Sequence, residues 1–138
     1  MNSEKVVAAA IIRKNKSVLL ARRSAGQKLA GFWEFPGGKV ENGETAEECL
    51  ARELVEELGI LTRIGKKCAE SLHQYEHGNF RLVAYLVDCI GGEPRPSVHD
   101  RLEWVKIDDL KRYQLLPADI PILESLQKLK DLDRGELY

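Results

Sequence analysis

Apolar positions run along this chain in two different periods. Val6-Val7-Ala8-Ala9-Ala10-Ile11-Ile12 is a short apolar run rich in β-branched residues, and Val18-Leu19-Leu20-Ala21 follows it after the polar stretch Lys14-Asn15-Lys16-Ser17. Short apolar runs separated by turn residues predict two buried strands joined by a turn. Arg22 and Arg23 end the second strand, and the small and polar residues from Ser24 to Gly31 predict a loop. Glu34-Phe35-Pro36-Gly37-Gly38 reads as an extended piece that then turns, because proline fixes φ and glycine admits positive φ.

The period then changes. Ala46, Leu50, Leu54 and Leu58 recur every four residues, the spacing of a helix with one buried stripe. Thr45 followed three residues later by Glu48 resembles a capping box, and Gly59 stands where helices commonly stop, so a helix is predicted from about Thr45 to Leu58. Beyond it, Leu61 to Tyr75 reads as a strand, His77-Gly78-Asn79 as a hairpin turn and Phe80 to Ile90 as the return strand. Gly91 to Pro96 is a loop by composition, and Leu102 to Ile107 is another short strand. Asp108-Asp109-Leu110 opens a short helix. Ile120, Leu123, Leu126 and Leu129 outline an amphipathic C-terminal helix, and Asp131 to Tyr138 reads as a polar, frayed end. These elements predict one α/β domain spanning residues 1–138 and fit an α/β/α sandwich with a central mixed β-sheet, although periodicity does not set strand order.

Composition narrows the function. With 43% apolar and 31% charged residues the chain has the balance of a soluble globular protein. The formal net charge of −1 supplies no long-range field for a nucleic-acid polymer or an anionic membrane. A small phosphorylated substrate stays compatible, since a bound metal ion supplies positive charge locally. Cys49, Cys68 and Cys89 are odd in number and far apart, which predicts small apolar core residues rather than a zinc site or disulfides. No signal-peptide pattern and no membrane-length apolar run is read in the chain, so a cytoplasmic location is expected.

The chemistry concentrates between Gly38 and Ile60. Residues three and four apart share a helix face, so Glu53, Glu56 and Glu57 project together. Crowded carboxylates repel unless a cation lies among them, and hard divalent ions such as magnesium take oxygen ligands together with substrate phosphates. A solvated acidic face is the bland alternative. It accounts neither for the glycine loop nor for the spacing of Arg52.

Gly38, Glu44, Arg52, Glu53, Leu54, Glu56, Glu57, Gly59 and Ile60 match the Nudix box of the Nudix hydrolase superfamily without substitution. The resemblance implies the Nudix fold and a magnesium-dependent hydrolase, with manganese as an alternative ion. It implies metal ligation by Glu53, Glu56, Glu57 and the carbonyl of Gly38. It gives Arg52 the task of orienting a glutamate through a bidentate ion pair that lysine cannot reproduce. Glu44 is expected to buttress the start of the helix. With Arg52, Glu53, Glu56 and Glu57 as the catalytic group, Glu53 is the first candidate for general base.

Outside the box, Gly31-Phe32-Trp33-Glu34-Phe35-Pro36-Gly37-Gly38-Lys39-Val40-Glu41 and Ala21-Arg22-Arg23 resemble the MutT-like branch, which cleaves nucleoside triphosphates to monophosphate and pyrophosphate. On that likeness Arg23 is a nucleotide contact, Lys39 a phosphate contact and Phe35 the first choice for a stacking wall, with Tyr75 and Phe80 behind it. Trp33 and Trp104 are expected to pack. Leu116-Pro117-Ala118-Asp119-Ile120-Pro121 resembles bacterial CTP pyrophosphohydrolases, and Asp119 is the candidate base reader. An ionised aspartate accepts only, which suits the N4 amino group of cytosine and equally the N1–H and N2 amino edge of 8-oxoguanine. Its alternative use is as a cap for the following helix. Some MutT-like enzymes carry a further glutamate where this chain has Val98, and the adjoining His99 stands as second choice for base, against the ordinary reading of a solvated loop histidine.

The expected function is therefore hydrolysis of a small nucleotide of the cytosine or 8-oxo-dGTP type. The alternatives are another nucleoside diphosphate derivative as substrate, or a non-catalytic nucleotide-binding sensor. Oligomeric state stays open between monomer and homodimer.

Overall fold

A computed structural model describes residues 4–75 and 78–133; the side chains of Tyr75 and of residues 129–133 are outside the description. The candidate stacking ring of Tyr75, residue His77 of the expected turn and the tail from residue 134 therefore lie outside the described residues.

The chain runs β1 (Lys5–Lys14), β2 (Ser17–Arg23), β3 (Trp33–Glu34), β4 (Gly37–Lys39), α1 (Ala46–Leu58), β5 (Leu61–Tyr75), β6 (Gly78–Gly91) and β7 (His99–Lys106). Two 3-10 segments, Ile107–Arg112 and Pro117–Asp119, then lead to α2 (Ile120–Asp133). The short helix expected at Asp108 is thus a 3-10 turn, and the expected hairpin at Gly78-Asn79 is already strand, since Tyr75 pairs with Gly78 and Gln74 with Asn79. The C-terminal helix continues to Asp133, two residues past the start of the expected frayed end.

Local rules explain the well-defined ends. Asn15 (φ 51°) and Lys16 (φ 68°) are both left-handed, as a two-residue hairpin between right-twisted strands requires. At the start of α1, Thr45 accepts from the Glu48 N–H at 3.0 Å while the Glu48 carboxylate accepts from the Thr45 N–H at 2.9 Å, a complete capping box. At the other end Gly59 (φ 70°) takes the left-handed conformation that stops the helix.

Among the described residues the strands form one mixed sheet. β1 pairs in parallel with β6 along one edge; its other edge is shared by β2 near Arg13 and β4 near Ala8, both antiparallel. β7 lies along β2, and β5 along β6. Alternation on β1 splits the core in two. Ala8, Ala10 and Ile12 pack with Cys49, Leu50, Leu54 and Leu58 of α1. Ala9 and Ile11 pack on the other face with Leu110, Leu115 and the α2 residues Ile122, Leu123 and Leu126. The result is the α/β/α sandwich expected. Each fully buried leucine of α1 contributes roughly 1.5–3 kcal/mol, which is what presses this helix and its acidic face onto the sheet. Trp33 is buried against Tyr113 edge to face at 5.2 Å, whereas Trp104 is 37% exposed beneath the Lys14 ammonium and is not a packing residue.

Gly37 and Gly38, expected to turn, are instead extended in β4, and neither has a positive φ; small size is what the position requires. Among the described glycines the closest approach is at Gly37, where an added Cβ would stand 1.9 Å from the Ala8 carbonyl oxygen. Backbone cannot yield there as a side-chain tip can. Gly37→Ala is therefore expected to destabilise the protein by about 2–3 kcal/mol or more, read as a fall in the urea midpoint with unchanged slope; an unaltered midpoint would show that β4 does not depend on this contact.

Candidate active site

Gly38 continues from Gly37 along the edge of β1, paired with Ala8. A Cβ on Gly38 would lie 2.6 Å from Cδ and Oε2 of Glu53, so the loop backbone rests directly against that carboxylate. The Gly38 carbonyl also accepts from the Cys49 thiol at 3.5 Å. Burial pushes the Cys49 thiol up to about 11, which makes it an inert core group.

Arg52 organises one side of the acidic helix. Its Nε and Nη2 donate to Glu44 at 2.7 and 3.0 Å, and its Nη1 donates to Glu53 at 2.8 Å and Glu56 at 3.2 Å. The bidentate pair is thus with Glu44, and Glu53 and Glu56 each receive a single bond. The Arg52 fork, then the Glu41 N–H, hold the Glu44 carboxyl down to about 2. Glu44 thereby ties the loop before α1 to the guanidinium that reaches the helix glutamates.

The other side of the helix is not neutralised. Glu57 Oε1 is buried with no hydrogen-bond partner among the described residues. Burial, then its hydrogen bond with Glu53 and the charges of Glu53, Glu34 and Glu56, push Glu57 up to about 8. Among the described residues no three carboxylate, imidazole or thiol groups are gathered into a ready cage, because Arg52 supplies the cation between Glu53 and Glu56. The donor set nonetheless fits a hard divalent ion. It is all oxygen, and one of those oxygens is buried and unpaired beside a second carboxylate, an arrangement that is costly without a cation.

Asp119 reaches this region through backbone pairing. Trp33 N–H donates to the Gln114 carbonyl and Leu116 N–H to the Trp33 carbonyl, at 2.8 and 2.9 Å, so the segment before α2 runs beside β3. Asp119 is 5% exposed, and its Oδ2 accepts from the Phe35 N–H at 3.0 Å. Burial pushes its carboxyl up to about 7; the Phe35 bond works against this, and the charge of Glu34 adds to it. The carboxylate is thus bound to Phe35, 84 residues earlier in the chain.

Phe35 itself needs correction. Its ring is 3% exposed within the α2-side core, so it offers no open stacking face, and it meets Asp119 through its backbone N–H. Lys39 is exposed on β4. Phe80 is half-buried and stacks on His73 with ring centres 4.8 Å apart. Arg23 is fixed at both ends of its guanidinium, by Nε to the Lys28 carbonyl at 2.7 Å and by Nη1 to Glu34 at 3.3 Å.

His99 is neither solvated nor in a loop. It begins β7, is 6% exposed, and shares a 2.8 Å hydrogen bond between Nε2 and Glu34 Oε2. The solvated-loop reading of His99 is thereby corrected: the imidazole is buried against Glu34. Val98 is exposed, its carbonyl accepting from Ser24 Oγ at 2.7 Å. Glu34 is the residue that reading the sequence missed. The available signal was strand alternation, since Trp33 and Phe35 point into the α2-side core and the acidic residue between them must face the other way.

Residues 7–125 match the model of the NUDIX domain family. The chain is 40% identical to the CTP pyrophosphohydrolase of Escherichia coli (strain K12) over 90% of this chain and 92% of that protein. It is 43% identical to the putative 8-oxo-dGTP diphosphatase 2 of Mycobacterium tuberculosis (strain H37Rv) over 86% of this chain and 84% of that one. The solution structure of the E. coli ORF135 protein superposes with a TM-score of 0.89 at 37% identity, covering 98% of this chain and 96% of that one.

A raised carboxyl pKa in the folded state means that the native protein holds a proton the unfolded chain releases. Stability then falls as pH rises from about 4 to about 7 and levels off above, with a slope for Asp119 of up to about 1.4 kcal/mol per pH unit. Asp119→Asn removes this slope, so the variant should gain on the wild type over that window. Urea unfolding of both proteins between pH 5 and 8 reads the difference; a constant difference would contradict the buried, proton-holding carboxyl.

Proposed function

The chain belongs to the NUDIX domain family, and we propose that within it the protein is a nucleoside triphosphate pyrophosphohydrolase that acts on cytosine or oxidised-guanine nucleotides. One observation carries this reading. The four residues Phe35 to Gly38 join a buried side chain suited to a base edge, Asp119 on the Phe35 N–H, to a backbone glycine pressed against the acidic helix at Glu53. A nucleoside triphosphate has the same two ends, and the names of the relatives in two bacteria agree with it.

Hydrolysis of the α–β anhydride consumes one water and yields a monophosphate and pyrophosphate. Nudix hydrolases generally use a divalent metal, and in this chain we assign Glu53, Glu56, Glu57 and the Gly38 carbonyl to hold it, with magnesium as the ion. Once bound it supplies charge neutralisation of the phosphates and acidifies water. The residues of the chain do the rest. Arg52, anchored on Glu44, fixes Glu53 through one N–H, and Glu53 takes the proton of the attacking water. Lys39, exposed beside the glycine turn, and Arg23 receive the charge of the nucleotide.

Asp119 sets which base is held. As a carboxylate it accepts from both N1–H and the N2 amino group of a guanine edge. Against cytosine it meets one donor, N4, and the lone pair of N3 repels it. As a neutral acid it donates to N3 and accepts from N4, a matched pair. A group whose pKa is raised to about 7 visits both states near neutrality.

Released pyrophosphate, assayed with magnesium on CTP, dCTP, 5-methyl-dCTP, dGTP and 8-oxo-dGTP, tests the reaction. Glu57→Gln is expected to abolish release while its circular dichroism stays that of the wild type. Nucleotide binding without turnover in the wild type would replace the enzyme by a sensor. The ratio of kcat/KM for dCTP to that for 8-oxo-dGTP is expected to fall as pH rises through about 7 and to lose this dependence in Asp119→Asn. A ratio that stays flat in the wild type would refute base reading by a titrating Asp119.

A further inference from the structure

The buried histidine of β7 has a part to play that the reading above leaves unused. His99 faces Arg23 across the β2–β7 pairing, at a register shift between Arg22 and Arg23. Irregularities of this kind re-aim side chains. Here the result is that Nε2 of His99 meets Oε2 of Glu34 at 2.8 Å. An ionised carboxylate only accepts, so Nε2 carries the hydrogen, and in a neutral ring Nδ1 is left as an acceptor. That Nδ1 is buried and, among the described residues, has no hydrogen-bond partner.

As packing, an imidazole is a poor choice at this position. An apolar side chain would fill the space and leave no orphaned polar atom. What the imidazole does supply is a donor to Glu34, and Glu34 in turn holds Arg23 through Nη1 at 3.3 and 3.5 Å. Arg23 is completed by the Lys28 carbonyl on its Nε. The result is a relay of directed contacts, His99 to Glu34 to Arg23, reaching from the interior to the partly exposed guanidinium. Glu34 directly precedes Phe35, whose N–H donates to Asp119.

We infer that His99 is a positioning residue for nucleotide binding: its Nε2–H holds Glu34, and through Glu34 the Arg23 guanidinium, next to the Phe35–Asp119 contact. This rests on the nucleoside triphosphate reading and adds to it a residue that touches neither substrate nor metal. It predicts an effect on KM, because the relay ends on a binding group and not on the glutamates that handle the water.

The experiment compares wild type, His99→Leu, His99→Gln, Glu34→Gln and the His99→Leu/Glu34→Gln double variant. The substrate is whichever of CTP, dCTP and 8-oxo-dGTP the wild type turns over fastest, and Tm is measured alongside. His99→Leu is expected to raise KM about tenfold with kcat held within about twofold and Tm unchanged or higher. His99→Gln, whose amide can donate to Glu34, is expected to restore most of the KM. The double variant should bind no worse than Glu34→Gln alone, as members of one relay do. In the wild type, ¹⁵N NMR should show the His99 imidazole with its proton on Nε2, and Glu34→Gln should perturb that signal. If His99→Leu does not fold, His99→Gln and the NMR signal decide. An unchanged KM, additive KM losses, a kcat loss that Gln does not restore, or a ring protonated only on Nδ1 would each overturn the inference. A wild type that turns over none of the three nucleotides would instead bring down the functional reading on which it stands.

Discussion

The approach of the Gly37–Gly38 backbone to its neighbours is the constraint on which the rest of the arrangement depends. Gly37 lies so close to the Ala8 carbonyl that no side chain fits, and Gly38 lies so close to Glu53 that any side chain would displace a carboxylate. Two glycines thereby set the distance between the edge of β1 and the acidic face of α1. The same short segment presents the Phe35 N–H to Asp119 two residues before Gly37. The base end and the phosphate end of the proposed site are therefore not assembled from separate mobile loops. They are two ends of one closely packed extended segment, paired with β1 and backed by the parallel β1–β6 pairing.

Charge is distributed unevenly around that segment, and the unevenness has a chemical sense. Arg52 pairs with Glu44, Glu53 and Glu56. Glu57, half-buried, and Asp119, buried, are both pushed up in pKa, and the Glu34 charge raises each of them. Structural ion-pair networks lower carboxyl pKa values, as Arg52 does for Glu44. Raised values in a cluster mark the opposite case, acids held ready for something not part of the chain. Glu34 is itself paired internally, with Arg23 and with His99.

Much of this was legible in the chain because it depends on neighbours in sequence. Thr45, Glu48 and Gly59 delimit α1 through contacts that span no more than a few residues, and the leucine stripe follows from helical period alone. The Lys14–Ser17 turn could be read in the same way. Errors appeared where a residue's role depends on what the rest of the molecule brings to it. Phe35 looked like an open wall because it precedes the glycine turn, yet the α2-side core closes over its ring. Trp104 looked like packing, yet it is 37% exposed with the Lys14 ammonium over its ring. His99 looked like a solvated loop residue, because β7 begins three residues earlier than its apolar pattern suggests.

The amino-acid sequence by itself determined most of the elements, the capped acidic helix, the pair of glycines ahead of it and the identity of the groups available for chemistry. Each of these is a matter of dihedral preference, period or side-chain type, and none needs a distant partner. Only the tertiary structure decided the protonation of those groups and their pairing. Burial and long-range charge raise the Asp119 carboxyl to about 7, leave Glu57 Oε1 without a partner among the described residues and tie His99 to Glu34, 65 residues away. Desolvation and electrostatic coupling are properties of a position in space, and a linear order of residues does not contain them until the sheet has brought β3, β7 and the start of α2 together.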